Sequence, residues 1–261
     1  MESPDFETVD WSFDEATGVG RIVLDRPDSL NALSATLRRE FVEAFDAFRA
    51  LDHEADGVAV RAVVVSGNGR AFSAGADVDE FAEGSDLVRP EVVYDAAGRF
   101  EGPVVAAIDG YCLGGGLVIA LDCDFRCASQ RSEFGLPEVD VGIPATGGGL
   151  AALSEAVGPG RAKWLAVTGE RFDGAAAAAD GIVDEVCAAD DLDDRVDAFV
   201  ETVASKPPLA VRETLAIVDA YGEDGVAEVE RRADRRCRRS EDHRAAIEAF
   251  RHDADPEFRG R

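Results

Sequence analysis

Three short segments of the chain contain residue types that are suited to chemistry. Residues 71–77 read Ala-Phe-Ser-Ala-Gly-Ala-Asp, and small side chains there let a ligand approach the backbone. Residues 110–116 form a glycine loop that leads into a predicted helix, whose free N–H groups and dipole favour a negative charge. Residues 134–142 place Glu138 in an apolar stretch, where a carboxylate is expected to be a stronger base than in water.

Each of these segments also has a purely structural explanation. Glycines at the start of a helix often serve close packing without any ligand, and a lone glutamate is more often a surface residue. Other common site motifs do not fit: the glycines lack the GxGxxG spacing of dinucleotide-binding proteins, and no Walker loop is present. No GxSxG motif surrounds a serine, so a nucleophile elbow is not indicated.

The composition limits the class of protein and its partners. With 261 residues and 46% hydrophobic content, the chain can bury a sizeable core. Its formal charge of -26 argues against nucleic acid or an anionic membrane as a partner. Lysine occurs only at Lys163 and Lys206, so 25 of the 27 basic residues are arginine. The pattern favours a surface solvated in concentrated salt and hence a halophilic source, with an acidic mesophile as the alternative.

Targeting and metal-binding signals are weak in this sequence. Residues 1–5 contain no basic and apolar leader pattern, so a cytoplasmic location is expected. The apolar stretch 103–121 is interrupted by Asp109 and glycines, which indicates buried core and not a membrane span. Five cysteines without a CxxC pair suit reduced thiols, and three scattered histidines indicate no metal site.

The pattern of elements predicts an α/β core followed by helices. Apolar runs at 6–13 and 19–24 predict a hairpin, and Ser34 is a predicted cap for a helix with apolar residues at three-to-four spacing. Further strands are predicted at 61–65, 104–108, 124–128 and 182–186, with a short helix at 117–121. From Leu192 the pattern is helical, broken at Pro207–Pro208, Gly222 and Gly225. We therefore expect a core at 1–189 with parallel strands and a helical region at 190–261.

The order and spacing of these segments resemble the enoyl-CoA hydratase/isomerase (crotonase) superfamily. The resemblance extends over nearly the whole chain. The segments that carry it are 24–27 with 31–33, 61–67, 74–77, 110–116, 134–142, 168–170 with 181–186, and 240–242 with 249–250.

The resemblance implies a fold, a substrate class and residue roles. The implied fold is a spiral of ββα units with a C-terminal helical region that trimerises, giving a homotrimer or a dimer of trimers. The implied substrate is an acyl-CoA thioester, with no cofactor apart from the coenzyme A that is part of it. The carbonyl oxygen would be held by the backbone N–H groups of Ala76 and Gly115, and Glu138 would move protons. Substrate and coenzyme A contacts are implied at Arg26, Ala74, Asp77, Val78, Gly114, Val118 and Thr146.

Departures from the family pattern bear on the reaction. Hydratases of the family use a second glutamate where this chain has Val118, while isomerases that move a double bond from position 3 to position 2 resemble it in using one glutamate. The loop 142–147 is similar in length to that of dienoyl-CoA isomerases, but Thr146 stands where those have an aspartate. The expectation is therefore a 3-enoyl-CoA to 2-enoyl-CoA isomerase, with a hydratase or a noncatalytic acyl-CoA-binding or scaffold protein as alternatives.

Several residues have roles that the sequence leaves open. Asp140, two residues after Glu138, would point the same way in an extended segment and could supply a second carboxylate, but a structural role is favoured. Tyr94, Phe81 and Phe100 could shape an acyl pocket or belong to the core. The arginines between 231 and 239 are expected to form ion pairs between subunits or a solvated face, with coenzyme A phosphate binding as a minority interpretation.

Overall fold

Two sheets organise the N-terminal part of the chain in this computed structural model, which describes residues 4–77, 80, 93–220, 226–252 and 256–261. The larger sheet has six strands in the order β1-β2-β3-β5-β7-β10. The strands are β1 (Val9–Asp14), β2 (Val19–Leu24), β3 (Ala62–Gly67), β5 (Val104–Ile108), β7 (Phe125–Ser129) and β10 (Glu185–Cys187). Strands β1 and β2 form the predicted antiparallel hairpin, and the other neighbours pair in parallel.

The second sheet is small, and its strands come from the segments of the chain that connect the strands of the first sheet. It has the order β4-β6-β8-β9, made of β4 (Ala71–Ser73), β6 (Tyr111–Leu113), β8 (Glu133–Gly135) and β9 (Phe172–Asp173). Strands β4, β6 and β8 are parallel, and only β9 runs antiparallel to its neighbour. Each of β3, β5 and β7 is followed at once by one short strand of the second sheet, which confirms the predicted α/β fold with repeated ββ units.

The helix after Ser34, the short helix near residue 117 and the helices from Leu192 were predicted, whereas the long helix that begins at Gly149 was not. The helices are α1 (Ala35–Glu54), α2 (Gly115–Asp122), α3 (Gly149–Thr168), α4 (Gly174–Ala179), α5 (Leu192–Ala204), α6 (Pro208–Asp219), α7 (Val226–Arg239) and α8 (Glu241–His252). The side chain of Ser34 caps α1 by accepting the N–H of Leu37 at 3.2 Å. Helix α3 is interrupted at Gly158, where φ is 76° and Pro159 follows. The last strand begins later than predicted, because Ile182 and Val183 pack under a turn in the core instead of joining the sheet.

Helices cover both faces of the larger sheet. On one face, the fully buried side chains of Leu37, Phe41, Phe45 and Phe48 of α1 belong to the main core. On the other face, α5 buries Leu192, Val196 and Val200 against strand residues such as Val64 and Val105. The boundary at 189 stays a prediction, and α5, just beyond it, packs directly on the sheet. Within the part of the chain that the structure describes, no helix is long and apolar enough to cross a membrane.

Asp122 at the end of α2 ties this helix to the segment after residue 93. Its carboxylate accepts the N–H groups of Ala97 and Gly98, each at 3.0 Å, and the nearby Asp124 accepts the N–H of Val104 at 2.7 Å. Burial raises the pKa of both carboxyls to about 6. These carboxylates fix the backbone near residues 97–104, but their ionised forms are costly to bury.

The substitution Asp122→Asn tests this cost through the pH dependence of stability. A pKa raised from 3.8 to about 6 means that the folded state binds the proton more tightly, so stability falls as pH rises through that window. We expect the free energy of unfolding of the variant, relative to wild type, to increase by up to about 3 kcal/mol between pH 4 and pH 7. Denaturant unfolding at several pH values in one KCl concentration measures this, with the exposed Asp10→Asn as a control. Parallel curves for wild type and Asp122→Asn would contradict the assignment.

Candidate active site

The order of the second sheet brings the three chemically suited segments together. Strand β6 lies between β4 and β8, and all three run in parallel. Since the carboxyl ends of parallel neighbours meet at one edge of a sheet, residues 74–77, 114–116 and 137–141 emerge side by side. The topology therefore explains why segments far apart in the sequence form one site.

In the first segment, the backbone N–H of Ala76 points away from the neighbouring segment at Leu33. The carbonyl of Gly75 accepts the N–H of Leu33 at 2.8 Å. Because the N–H of Ala76 belongs to the same trans peptide unit as that carbonyl, it points in the opposite direction. The hydroxyl of Ser73 reinforces the turn by donating to the carbonyl of Asn31 at 2.8 Å and accepting the N–H of Gly75 at 3.2 Å.

The second segment presents the N–H of Gly115 at the start of α2. Gly114 is the N-cap with φ 51° and ψ -125°, a conformation that favours glycine. Its carbonyl accepts the N–H of Val118 at 3.1 Å, so the N–H of Gly115 in the same peptide unit points out of the helix. This N–H also lies at the positive end of the helix dipole.

The backbones of the two loops approach closely because glycine occupies the contact points. A Cβ added at Gly75 would lie 3.2 Å from the nitrogen of Gly115 and 2.8 Å from the carbonyl oxygen of Leu113. A Cβ added at Gly116 would lie 2.4 Å from the carbonyl oxygen of Ser73. No side chain fits at either position, so the two N–H groups are held in neighbouring loops by the packing itself.

Glu138 lies beside these donors and has a free oxygen. It belongs to a 3-10 helix, Pro137–Val141, and a Cβ added at Gly114 would be 3.0 Å from its Oε1. Its Oε2 is buried and has no hydrogen-bond partner. Burial raises the pKa of the Glu138 carboxyl above its ordinary value. The residue thus has the position and the basicity that a proton acceptor needs.

The same 3-10 helix supports the structural or solvent-facing role that is favoured for Asp140 from the sequence. In an extended segment Asp140 would share the direction of Glu138, but the backbone here is helical, so the two side chains diverge. The Asp140 side chain is exposed, and its Oδ2 would lie 3.2 Å from a Cβ added at Gly169, after α3. Asp140 is therefore not a second carboxylate beside Glu138.

Val118 occupies the position where the resemblance implies a second glutamate in hydratases. Its side chain is 3% exposed, and its Cγ2 would be 2.4 Å from a Cβ added at Gly149. Apolar packing against the start of α3 therefore fills this place. Thr146, in the loop before α3, is exposed.

Tyr94 covers the glycine loop from the side. A Cβ added at Gly115 would lie 2.4 Å from the Tyr94 hydroxyl, and one added at Gly147 would lie 2.0 Å from its ring carbon Cδ2. The ring therefore fits between two glycine backbones. Burial raises the pKa of Tyr94; the nearby charge of Arg38 opposes this shift, and that of Glu138 adds to it. Phe100, by contrast, is 6% exposed and belongs to the core.

The residues expected to contact coenzyme A fall into three groups. Arg26 donates through Nη1 to the carbonyl of Ala32 at 2.6 Å and to the Asp77 carboxylate at 2.9 Å, which links the two segments. Ala74 is partly exposed in the first loop and donates its N–H to the carbonyl of Leu30 at 2.9 Å. Val78 lies outside the described residues, and so does Phe81, which was a candidate for the acyl pocket and not for coenzyme A. The contacts of these residues with coenzyme A stay predictions.

The arginines of α7 make ion pairs within the chain. Arg231 and Arg235 contact Glu228, Arg238 contacts Asp234, and Arg236 contacts the buried Glu213 on α6 at 2.7 Å. These contacts stabilise α7 and its packing on α6. They do not test the predicted contacts with a second subunit.

Two residues near the site had not been recognised from the sequence. Asp122 supports the segment that carries Tyr94, and Arg38 is buried on the inner face of α1. The signal for Arg38 was available, because it lies next to Leu37 and three residues before Phe41 on the apolar stripe of the helix. No comparable signal marks Asp122.

Comparisons with known proteins agree with this geometry. The family model described as enoyl-CoA hydratase/isomerase matches residues 14–261. A relative from Rhizobium meliloti (strain 1021) named "Probable enoyl-CoA hydratase" is 40% identical over 196 residues, 72% of each chain. One from Mycobacterium bovis, named "Probable enoyl-CoA hydratase echA8", is 31% identical over 97% of this chain and 98% of its own.

Solved structures show the same fold over the full length. The enoyl-CoA hydratase of Bacillus anthracis superposes with a TM-score of 0.90 at 29% identity, covering 98% of this chain and 100% of the other. The enoyl-CoA hydratase subunit I of Geobacillus kaustophilus gives 0.88 at 33% identity, covering 99% and 100%. The chain belongs to the enoyl-CoA hydratase/isomerase family and is an enzyme of that family.

The substitution Gly115→Ala tests the packing around the second donor. The new Cβ would meet the Tyr94 hydroxyl at 2.4 Å and the Leu33 Cδ1 at 2.9 Å, so the loop or the tyrosine must move. We expect kcat/KM to fall by about 10²-fold or more, since a displaced donor loses its alignment with the developing charge. Gly160→Ala, where a Cβ meets no atom within 4 Å, is the matched control. Full activity of Gly115→Ala would remove this loop from the catalytic site.

Proposed function

We propose that this enzyme is a 3-enoyl-CoA to 2-enoyl-CoA isomerase in which Glu138 carries the proton. One observation supports this choice above the others: the Glu138 carboxylate is buried beside Gly114 with an unpartnered oxygen, and Val118 occupies the place of a second acid. Within the described parts of the chain, Glu138 is the acid whose carboxylate lies against Gly114, at the end of the glycine loop. The geometry therefore suits a reaction that needs one proton carrier.

The proposed reaction moves one proton and one double bond. Glu138 removes a proton from C2 of the acyl group, and the electron pair shifts toward the thioester oxygen as an enolate. The N–H groups of Ala76 and Gly115 stabilise the negative oxygen, and they do so more strongly in this state than in the neutral substrate. Glu138 then returns the proton to C4, and the double bond moves from C3–C4 to C2–C3. The reaction consumes no water and needs no cofactor besides the coenzyme A of the substrate.

A hydratase is the second candidate, and the names of the relatives favour it. Hydration of a 2-enoyl thioester requires an activated water and a proton delivered to carbon, tasks that two carboxylates share. The buried methyl groups of Val118 pack against the backbone of Gly149 and leave no acid at the second position. Losing one such group costs about 10²- to 10⁴-fold in rate, so this chain would be a slow hydratase.

One absorbance assay in concentrated KCl separates the candidates. Conjugation of the double bond with the carbonyl gives the 2-enoyl thioester an additional ultraviolet absorbance that the 3-enoyl thioester lacks. A rise in absorbance with 3-hexenoyl-CoA supports the isomerase, and a fall with 2-hexenoyl-CoA supports the hydratase. Thioester binding without either change would indicate a noncatalytic acyl-CoA-binding or scaffold protein.

The substitution Glu138→Gln is expected to lower kcat by roughly 10²- to 10⁴-fold with ligand binding retained. The wild-type rate should rise with pH through the Glu138 pKa, which burial places above the ordinary glutamate value, because the base must be ionised. The variant should lack this limb of the pH profile. Asp140→Asn is the matched control and should keep the wild-type profile. An unaltered rate in Glu138→Gln would exclude the role of Glu138.

For coenzyme A, we propose the contacts that the family resemblance implies. Arg26, Ala74 and Val78 would contact the phosphate and adenine, with Asp77 holding Arg26 through their 2.9 Å ion pair. Gly114, Val118 and Thr146 would line the path of the acyl group. The position of Ala74 and Asp77 on either side of the first donor loop supports this arrangement.

We further propose that the protein assembles as a homotrimer or a dimer of trimers through its C-terminal helices and an apolar face. Large apolar side chains are exposed on the 3-10 helix at Pro137–Val141, on the following loop and on α3: Val139, Val141, Ile143, Leu150, Trp164 and Val167. Trp164 is 57% exposed and Val167 69% exposed. Exposed apolar residues grouped in this way are typical of an interface between chains.

The acidic surface supports a cytoplasmic enzyme of a halophile. The net charge of -26 produces self-repulsion that concentrated salt screens. With two lysines in the chain, the ion pairs within the described residues use arginine, apart from His252 with Glu248.

Light scattering after gel filtration tests assembly and salt dependence together. At high KCl we expect a mass of three or six times 27.7 kDa, and at low KCl smaller species with a lower unfolding temperature. Trp164→Asp should weaken the trimer at high KCl, because it places a charge in the apolar face. A monomer at every KCl concentration would exclude the proposed assembly, and a stability independent of KCl would exclude the halophilic surface.

A further inference from the structure

Arg38 is a charged residue buried on the core-facing side of α1. It lies between Leu37 and Phe41 on the apolar stripe, and the residue is 2% exposed. Burying a guanidinium is costly unless other groups pair with it and satisfy its N–H donors. A side chain of this kind in the core therefore needs a partner.

The described contacts of Arg38 do not satisfy its donors. Its Nη2 lies 3.4 Å from Oε2 of Glu80, a long contact, and its Nε is buried without a hydrogen-bond partner. Both oxygens of Glu80 already accept the N–H of Ala35, at 3.0 and 2.9 Å, so that carboxylate serves mainly as a cap for α1. The Nε–H of Arg38 is therefore a buried donor without a partner.

Glu40, two residues further along α1, is a buried charged residue whose carboxylate oxygens both accept hydrogen bonds, and it serves as a comparison for Arg38. It is 2% exposed and accepts the Thr8 hydroxyl at 2.6 Å, the Thr8 N–H at 2.8 Å and the Glu7 N–H at 3.1 Å. Its lone pairs are used within the chain. Arg212 also has a buried Nε without a partner, but its guanidinium donates to the Asp52 carboxylate and the Val60 carbonyl, whereas the described contact of Arg38 is the long one to Glu80.

The location of Arg38 adjoins the proposed active site. Leu33, just before α1, would be 2.9 Å from a Cβ on Gly115, and Arg38 follows one turn after the helix cap Ser34. The charges of Arg38 and Glu138 both act on the Tyr94 hydroxyl, which lies against Gly115. The unpartnered Nε–H of Arg38 and the O–H of Tyr94 are therefore the two candidate donors for a ligand.

We propose that Arg38, assisted by the Tyr94 hydroxyl, binds a carboxylate at the far end of the acyl group, so that the preferred substrates are coenzyme A thioesters of unsaturated dicarboxylic acids. The reaction of these substrates rests on the proposed isomerase function, whereas the preference for binding them does not. A guanidinium pairs with a carboxylate through two parallel hydrogen bonds, which would use the donors that the fold leaves free. A substrate that ends in a methyl group would leave them unpaired.

Matched thioesters measure this preference. The first pair of substrates is 3-hexenoyl-CoA and the mono-coenzyme A thioester of 3-hexenedioic acid, which differ in whether the acyl chain ends in a methyl group or a carboxylate. The second pair consists of the corresponding eight-carbon compounds. We expect wild type to have a kcat/KM for the dicarboxylic member of at least one pair that is on the order of 10²-fold higher, because a site built for a polar group discriminates against an analogue that lacks it. Arg38→Met should abolish this ratio and Tyr94→Phe should reduce it. Arg39→Met, at the neighbouring and 56% exposed position, should keep the wild-type ratio.

Binding of saturated thioesters separates this inference from the proposed function. Calorimetry in KCl compares adipoyl-CoA with hexanoyl-CoA, and suberoyl-CoA with octanoyl-CoA, none of which can be isomerised. Tighter binding of either dicarboxylic thioester by wild type, lost in Arg38→Met, supports the subsite even if no isomerase activity is found. If Arg38→Met does not fold, the wild-type preference alone decides. Equal or weaker binding of the dicarboxylic member at both lengths would overturn the inference, whatever the reaction.

Discussion

The close approach of two backbone loops is the constraint on which the rest of the site depends. The loop after β4 and the start of α2 touch at Gly75 and Gly116. A Cβ at either position would be closer to a backbone atom of the other segment than van der Waals contact allows. This contact, together with the hydrogen bonds of the Ser73 hydroxyl, holds the N–H groups of Ala76 and Gly115 in adjacent loops. Since the donors are backbone atoms, their position is fixed by the sheet and the helix, and little reorganisation is needed when charge develops.

The sheet topology makes this contact possible. Strands β4, β6 and β8 are short, yet each follows directly from a long, fully packed strand of the larger sheet. The larger sheet is buried on both faces by α1 and α5, so it provides a rigid base for the small one. A site at the ends of three parallel strands is held rigidly by this base. Such rigidity is needed if the proposed donors and base are to be placed precisely.

Buried polar groups fall into two kinds in this molecule. Asn31, Glu40 and Asp122 use their polar atoms in several hydrogen bonds within the chain, and each joins segments that are distant in the sequence. Glu138, Arg38 and Arg212 each have a buried atom without a partner. An unsatisfied buried group is destabilising, so each of these positions lowers the stability of the fold. Arg212 is paired with Asp52, whereas the charges of Glu138 and Arg38 both act on Tyr94, which supports a polar ligand near that residue.

The sequence by itself determined most strands of the larger sheet, the first and last helices and the glycine positions, and it singled out Glu138 as the candidate base. It did not predict the short strands of the second sheet or α3. Helix α1 with its Ser34 cap, the strands of the larger sheet and the helices after Leu192 follow from local periodicity, caps and turn residues, which act over a few residues. Glu138 and the two glycine loops were recognised because their residue types and order are specific.

Only the tertiary structure decided which of the candidate groups meet. The 3-10 helix at Pro137–Val141 turns Asp140 away from Glu138, which decides against the alternative of an extended segment that would align the two side chains. The packing of Val118 on Gly149 and the unmet donors of Arg38 depend on contacts between segments far apart in the chain. Such contacts are set by how strands pair and helices pack, and local sequence patterns carry no information about them.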